Sequence, residues 1–152
     1  MIRQAEAADT SAIIGLLRDS RVGAGFDSKD GLTGFVFPFD PAYAGRLFLA
    51  HLALRRLALV NAVDGVAKGV LLAAAFEHPF GPVWLAQETV WWIDPACRGT
   101  AAVRMLDAYE AWAAEQGCKF AGMAGMGEDP VVRKLYERRG YRAAELHFLK
   151  VL

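Results

Sequence analysis

The residues with the clearest chemical potential lie where a strand-like run passes directly into a helix-like run. The segment DPACRGTAA, residues 94–102, follows ETVWWI and precedes VRMLDAYEAWAAE. The first amides of a helix have no acceptor within the helix and lie at the positive end of its dipole, and small side chains let an anion approach them closely. The junction therefore predicts a site for an anion such as a pyrophosphate. An Arg-Gly pair before a helix is also typical of an ordinary tight turn, so the pattern alone leaves both interpretations open.

The apolar pattern predicts the elements that position this junction. In the first half of the chain, a short strand in IRQAE is followed by a helix, by a glycine-rich loop over residues 22–40 and by a second helix that begins at Asp40-Pro41. The runs RLALVNAV and VAKGVLLAAAFE are joined by Asp64-Gly65, which is typical of a tight hairpin and predicts two neighbouring antiparallel strands. Loops as long as the glycine-rich one are often functional in compact domains.

The second half of the chain alternates strands and helices. The run VWLAQETVWWI is predicted to be the strand that leads into the junction, and the helix after it ends near Gly117. A buried strand in KFAGMAGM, a helix from Asp129-Pro130 to Gly140 and a last strand in YRAAELHFLKVL complete the chain. This order predicts an α/β fold, α+β in some schemes, with a mixed, mostly antiparallel central sheet of about six to seven strands and helices on both faces.

Composition restricts the classes of function. With 152 residues, the chain is predicted to form a single domain over residues 1–152. Lys and Arg together number 17, as do Asp and Glu, so no net charge draws the protein to nucleic acid or to an anionic membrane. The apolar runs are too short to span a bilayer and the first residues lack the apolar core of a signal peptide, which favours a cytoplasmic location. We therefore expect neither nucleic acid nor a membrane among its partners.

The ligand-forming side chains give no sign of a metal site. The two cysteines, Cys97 and Cys118, lack metal-ligand spacing and are interpreted as reduced packing thiols. A nucleotide site of the Rossmann or P-loop kind is not favoured either, because the sequence lacks GxGxxG after the first strand and also lacks GxxxxGK[ST]. We expect no metal in the site.

Two motifs in this order of elements resemble the GCN5-related N-acetyltransferase (GNAT) superfamily, whose members transfer acyl groups from acetyl-CoA. IDPACRGTAAV is similar to the family's strand end and its Arg/Gln-x-x-Gly-x-Gly/Ala loop, with Ala101 and Val103 at positions where the family prefers smaller residues. DPVVRKLYERRGYR is similar to the family's Asn-x-x-Ala-x-x-Leu-Tyr-x-x-x-Gly-Phe helix, with Asp129 in place of Asn and Tyr141 in place of Phe. The resemblance implies a GNAT-like acyl-CoA N-acyltransferase fold with acetyl-CoA as co-substrate.

The resemblance also implies which residues hold this co-substrate. In the family the loop amides bind the CoA pyrophosphate, and a main-chain N–H on the preceding strand meets the developing oxyanion. Cys97 is then a bystander beside the loop. The expected co-substrate-binding residues are Trp92, Ile93, Arg98, Gly99, Thr100, Ala101, Ala102 and Val103.

An acid and a base are implied in the same way. Tyr136 aligns with the family tyrosine that commonly protonates the departing CoA thiolate, although taken alone it fits a core aromatic residue as well. Glu88 resembles in position the strand glutamate that some members use as a base, and burial beside Trp91 and Trp92 would raise its pKa towards neutrality. An ion pair with an arginine, or a solvent-facing position, is the alternative for Glu88.

The expected function is that of an acetyl-CoA-dependent N-acetyltransferase, which acetylates a primary amine of a small molecule or peptide by direct attack in a ternary complex. The alternative is a non-catalytic acyl-CoA-binding or interaction module with the same fold. We expect the acceptor to be recognised by the loop 22–40, the second helix and the tail after Gly140. A homodimer that shares its edge strand is compatible with the shortness of this tail.

Overall fold

The computed structural model describes residues 1–125 and 130–152. In this part of the chain the strands are β1 (Ile2–Gln4), β2 (Arg56–Val63), β3 (Val66–Glu77), β4 (Trp84–Ile93) and β5 (Phe120–Gly122). The helices are α1 (Thr10–Gly23), α2 (Pro41–Ala50), α3 (Thr100–Glu115) and α4 (Pro130–Arg138). Short 3₁₀ turns at Ala7–Asp9 and Pro95–Cys97 precede α1 and α3. None of the helices in the described residues is long and apolar enough to cross a bilayer.

The strands form one sheet in the order β1-β2-β3-β4-β5. The pairs from β1 to β4 are antiparallel, whereas β5 runs parallel to β4. Between β2 and β3, Asp64 has a φ of 50° and Gly65 a φ of 80°, the left-handed pair that a type I′ hairpin turn requires. The predicted hairpin and the mixed, mostly antiparallel character of the sheet are therefore confirmed.

Helices cover both faces of the sheet. Because side chains alternate along each strand, β2 and β3 supply apolar residues to two separate layers. On the first face α1 and α2 form a core with the sheet, which includes Ile13, Leu16, Phe48, Val60, Val70 and Leu72. On the second face α3 forms a core that includes Leu71, Ala73, Met105, Leu106 and Tyr109, and Tyr136 of α4 packs against it. β4 lies between these layers, which fixes the orientation of its side chains.

The predicted last strand is wrong, and in residues 1–125 and 130–152 the sheet has five strands rather than six to seven. Residues 141–152 lie outside helices and strands, with Leu146 78% and Phe148 85% exposed. Two physical reasons apply. Apolar residues in this tail occupy both alternating registers, for example Phe148 and Leu149, so no single face of a strand could be buried. The edge it would join, β5, offers only three residues, one of them a glycine.

The helix before the tail is as expected where it is described. α4 begins at Pro130, and Gly140 just beyond its end has a φ of 88°, the left-handed conformation that ends many helices. The amide of Tyr141 donates to the carbonyl of Tyr136 at 3.0 Å and closes this end. The predicted cap at Asp129 lies outside the described residues.

Candidate active site

The junction after β4 has the geometry that its sequence predicts. The Asp94 carboxylate accepts a hydrogen bond from the Ala96 amide at 3.0 Å and shapes the 3₁₀ turn. Gly99 then adopts a φ of 87°, a left-handed conformation that favours glycine. α3 starts at Thr100, which is exposed, and the Ala102 amide donates to the Gly99 carbonyl at 3.1 Å. The first amides of α3 therefore begin at the surface, where an anion can reach them.

Basic side chains stand beside these amides. A cavity of about 350 Å³ next to the junction is lined by Arg98, Thr100, Ala101 and Arg104, among others. Two guanidinium groups give this cavity a cationic wall that complements a phosphate group. Val103 lies in the first turn of α3 and is 40% exposed, so its branched side chain faces solvent and not the core.

Arg98 is held in place by the end of β4, the strand that precedes it. Its guanidinium lies 4.9 Å from the centre of the Trp92 ring, and its Nε donates to the Ile93 carbonyl at 3.0 Å. Gly23 at the end of α1 permits the Trp92 ring to lie there, because a Cβ on Gly23 would come within 2.3 Å of it. Trp92 thus connects the end of α1 to the junction and carries Arg98 on its face.

The edge of β4 opens beyond Gln87. The parallel ladder with β5 ends at the pair Gln87 and Gly122. The next contact across the gap is made by a side chain, since the Ala124 amide donates to Glu88 Oε2 at 2.9 Å. The main chain after β5 therefore contacts β4 here through the Glu88 side chain and not through the main-chain ladder. In the described residues no strand pairs with β4 on this side beyond Gln87.

The main-chain direction of β4 distinguishes Trp92 from Ile93. The Asp94 amide donates to the Lys68 carbonyl of β3 at 2.8 Å. Because main-chain groups on an antiparallel strand point alternately to its two sides, Trp92 turns its N–H towards β3, and Ile93 turns its N–H towards the gap. Of these two predicted residues, Ile93 offers the main-chain donor and Trp92 contributes its ring.

Glu88 lies at the start of the gap, on the face covered by α3, opposite Ala73 of β3. Its Oε2 also accepts a hydrogen bond from Gln87 Nε2 at 3.1 Å. Burial raises the pKa of the Glu88 carboxyl above its usual value, and the hydrogen bonds from Ala124 and Gln87 lower it in part. The described residues contain no ion pair to Glu88.

Tyr136 is brought to the same place by α4. Its hydroxyl donates to the Ala124 carbonyl at 3.1 Å, and its ring centre lies 6.1 Å from that of Trp91. Burial raises the pKa of the Tyr136 hydroxyl far above its ordinary value, and the nearby charges of Glu88 and Tyr141 raise it further. The phenol is therefore protonated. Ala124 binds Glu88 through its N–H and Tyr136 through its C=O, so both predicted groups meet at one peptide segment.

An ion-pair cluster fixes the end of α4 relative to α3. The Arg139 guanidinium donates to both carboxylate oxygens of Glu110, at 2.9 and 2.8 Å, and to Asp107 at 2.7 Å. The Tyr141 hydroxyl donates to Glu110 at 3.0 Å. Arg139 is only 17% exposed. This cluster sets the position of α4 and hence of Tyr136.

Sequence reasoning missed a polar pair on the other face of β4. His51 Nε2 lies 2.9 Å from the Thr89 hydroxyl, although 38 residues separate them in the chain. Thr89 is the extra residue of a β-bulge, since Leu72 pairs with Val90 and Ala73 pairs with Glu88. No local signal marks this bulge, because it depends on how β3 and β4 pair.

Two further features concern possible ligands. The Trp91 indole Nε1 is buried and has no hydrogen-bond partner in the described residues. An unpaired buried donor costs about 1–3 kcal/mol, so Trp91 Nε1 marks an unsatisfied polar group beside the Tyr136 ring. Across residues 1–125 and 130–152, no group of three or more His, Cys, Asp or Glu side chains is placed to hold a metal ion.

Comparison with known proteins places this arrangement in a family. The profile of the Acetyltransferase (GNAT) family matches residues 30–141. No curated protein sequence matches the chain. Among solved structures, a ribosomal-protein-alanine N-acetyltransferase from Brucella melitensis biovar Abortus 2308 is similar with a TM-score of 0.72 and 20% identity, covering 100% of this chain and 99% of that one.

Two other solved structures carry ligands of the CoA type. A predicted acetyltransferase from Clostridium acetobutylicum, solved with acetyl-CoA, has a TM-score of 0.75 and 16% identity and covers 100% of this chain and 95% of that one. An aminoglycoside N-acetyltransferase in complex with CoA has a TM-score of 0.71 and 15% identity, with 100% and 98% covered. At these identities the likeness concerns the fold. The profile match, which spans most of the chain, shows that the protein belongs to the GNAT acetyltransferase family, as its two motifs indicate.

Proposed function

We propose that the protein is an N-acetyltransferase that transfers the acetyl group of acetyl-CoA to a primary amine by direct attack. The observation that carries the proposal is the meeting of Glu88 and Tyr136 at Ala124, where β4 and β5 separate. A carboxylate with a raised pKa and a protonated phenol are the base and acid that this reaction needs, and both stand at one gap.

The residues of this chain fit CoA at one end of the gap. The first amides of α3 and the guanidinium of Arg98 would hold the pyrophosphate, with Gly99 allowing its close approach. The loop residues with this role are Arg98, Gly99, Thr100, Ala101, Ala102 and Val103. When bound, acetyl-CoA supplies the activated thioester, and the open edge of β4 would receive its arm.

Each proton in the reaction then has a residue that moves it. Glu88 would take a proton from the attacking amine nitrogen as the new carbon–nitrogen bond forms. The Ile93 N–H, which faces the gap, would stabilise negative charge on the carbonyl oxygen. Tyr136 would give its hydroxyl proton to the sulfur as the carbon–sulfur bond breaks, and this yields the amide and the free thiol of CoA.

The acceptor class is proposed from the related structures. Solved structures with this fold are named for ribosomal-protein alanine and for aminoglycosides. We therefore propose a primary amine of a small molecule or of a peptide as acceptor. α1, α2 and the connection over residues 24–40 border the face of β4 that is opposite the acid and base.

A thiol-release assay tests the proposal. Purified protein is incubated with acetyl-CoA and either an alanine-initiated peptide or an aminoglycoside, and free CoA thiol is measured together with the mass of the acetylated amine. Release that depends on the amine and falls in Tyr136→Phe supports the proposed reaction. If CoA binds in calorimetry but neither amine causes thiol release, the alternative of a non-catalytic acyl-CoA-binding module is favoured, for which the branched Val103 beside the loop amides is the supporting observation.

A further inference from the structure

A histidine and a threonine form an isolated polar pair at the β4 bulge, on the face opposite Glu88 and Tyr136. His51 follows the last turn of α2 and is 3% exposed, whereas Thr89 is exposed. A buried polar side chain is costly unless it is hydrogen-bonded, and the His51 ring uses both of its nitrogens. The proposed acid and base do not involve this pair.

The hydrogen bonds of His51 fix the direction of the Thr89 hydroxyl. His51 Nδ1 lies 2.8 Å from the Leu47 carbonyl, and a carbonyl only accepts, so Nδ1 carries the proton. Nε2 of a neutral ring is then an acceptor, and the Thr89 hydroxyl must donate to it at 2.9 Å. Burial lowers the pKa of the His51 ring, the hydrogen bond with the Leu47 carbonyl raises it in part, and the charge of Arg56 lowers it, so that the neutral ring is favoured. The Thr89 hydroxyl uses its only hydrogen in this bond, so its oxygen can form further hydrogen bonds only as an acceptor.

The position of Thr89 brings this acceptor to the gap. The ladder between β4 and β5 ends at Gln87, two residues before Thr89. The bulge places Thr89 next to Glu88 in the chain but on the face of α2, since His51 reaches it from there. Thr89 is exposed there and is the chain neighbour of Glu88, so an amine in the gap can meet the Thr89 oxygen.

We propose that Thr89 binds and orients the amine substrate by accepting a hydrogen bond from one of its N–H groups. His51 is the positioning residue that orients the Thr89 oxygen. This inference rests on the proposed function and adds a residue that selects the acceptor. A hydroxyl locked as an acceptor favours an N–H donor and disfavours a group that can only accept. The nitrogen lone pair is left free for attack, while Glu88 takes the other proton.

The first test needs no turnover. Long-range ¹H–¹⁵N spectra of the uniformly labelled protein distinguish the two neutral tautomers of each of its three histidines. With His51→Gln used to assign the signal, the proposal expects His51 to carry its proton on Nδ1. A proton on Nε2 would make Thr89 the acceptor in this pair and would overturn the proposal.

The second test separates acceptor binding from donor binding. The variant Thr89→Val removes the hydroxyl at constant shape, and Thr89→Ser keeps it as a matched control. With the alanine-initiated peptide or the aminoglycoside as probe, Thr89→Val should raise the acceptor KM about tenfold, with the KM for acetyl-CoA unchanged. Thr89→Ser should stay within about twofold of wild type. An unchanged acceptor KM in Thr89→Val, or an equal rise in both KM values, would overturn the role of Thr89.

The role of His51 is tested by a double-mutant cycle. His51→Gln should raise the acceptor KM about as much as Thr89→Val. The double variant should raise the acceptor KM no more than either single variant, because Thr89→Val deletes the hydroxyl and His51→Gln removes the partner that orients it. Additive effects would show that His51 does not act through Thr89. If the wild-type protein releases no thiol with either amine, the proposed function fails together with the acceptor role, whereas an active wild type with a silent Thr89→Val rejects this inference alone.

Discussion

The two faces of β4 at the gap hold polar groups in different ways. On the face of α3, Glu88 and Tyr136 are both bound to the peptide segment at Ala124, and burial raises both pKa values. On the face of α2, Thr89 is bound to a histidine whose pKa burial lowers. The same cause, burial, thus favours a protonated phenol and a basic carboxylate on one face and a neutral imidazole on the other.

This difference suggests a division of labour along a single strand. Neighbouring residues, Glu88 and Thr89, serve opposite faces because the bulge inserts one extra residue into β4. The groups that we propose to exchange protons lie on the face of α3, and the group that we propose to act only as a hydrogen-bond acceptor lies on the face of α2. If the comparison is right, changes on the first face affect kcat, and changes on the second affect the acceptor KM.

The largest effect is expected at Glu88. Glu88→Gln keeps the shape and the hydrogen bond from Ala124 but removes the base, so kcat at neutral pH should fall by about 100-fold or more. Steady-state thiol release at saturating acetyl-CoA and amine measures it. Glu77→Gln, at the exposed end of β3, is the matched control and should leave kcat unchanged. Equal kcat values for the two variants would show that Glu88 on the face of α3 is not the base.

Tyr136 is expected to give the next largest effect. Tyr136→Phe keeps the packing against Trp91 but lacks the proton for the departing sulfur, which should lower kcat about tenfold to 100-fold. The affinity for acetyl-CoA, measured by calorimetry, should be unchanged. Tyr43→Phe changes a tyrosine on α2 that is 60% exposed and serves as control. A loss of CoA affinity in place of kcat would make Tyr136 a binding residue.

A variant at Arg98 tests the junction between β4 and α3, which follows the gap on both faces of the strand. Arg98→Met should weaken CoA binding about tenfold at low ionic strength and less in high salt, because a guanidinium–phosphate contact at an exposed site is screened. Calorimetric titrations at two salt concentrations measure this dependence. A loss that is the same at both concentrations would indicate that Arg98 acts by holding the Ile93 carbonyl rather than by meeting a phosphate.

The smallest effect on turnover, but a clear one on stability, is expected at Arg139. Arg139→Met removes three hydrogen bonds that tie α4 to α3 and should lower the free energy of unfolding by about 1–3 kcal/mol. Urea denaturation measures the change. Arg133→Met, which breaks an exposed pair with Glu137 within α4, should show no resolvable change. If the two variants are equally stable, the cluster does not fix α4.

Local signals predicted the fold and the junction well. Asp64-Gly65 specified its hairpin and the DPACRGTAA segment its strand-to-helix turn, because backbone conformation there depends on neighbouring residues. The tail was predicted as a strand from its apolar content, but strand formation requires a partner edge, and β5 is too short to provide one. The length of β5 could not be predicted from the segment KFAGMAGM alone.

The site was predictable only in part for the same reason. Glu88 and Tyr136 could be singled out by the motifs around them, yet their meeting at Ala124 depends on where β5 leaves β4. The contact between His51 and Thr89 depends on the pairing of β3 with β4 and on the packing of α2. Both are nonlocal, and a single sequence has no pattern that specifies them.

The pH dependence of kcat in wild type and in Glu88→Gln tests the central claim most directly. A base acts only when deprotonated, and burial raises the pKa of Glu88, so wild-type kcat should fall as the pH is lowered through a value above the usual range of a glutamate. Thiol release at saturating substrates, with tautomer and fold checked at each pH, gives this profile. The account predicts that the acidic limb is present in wild type and lost in Glu88→Gln. The same acidic limb in both proteins would contradict it.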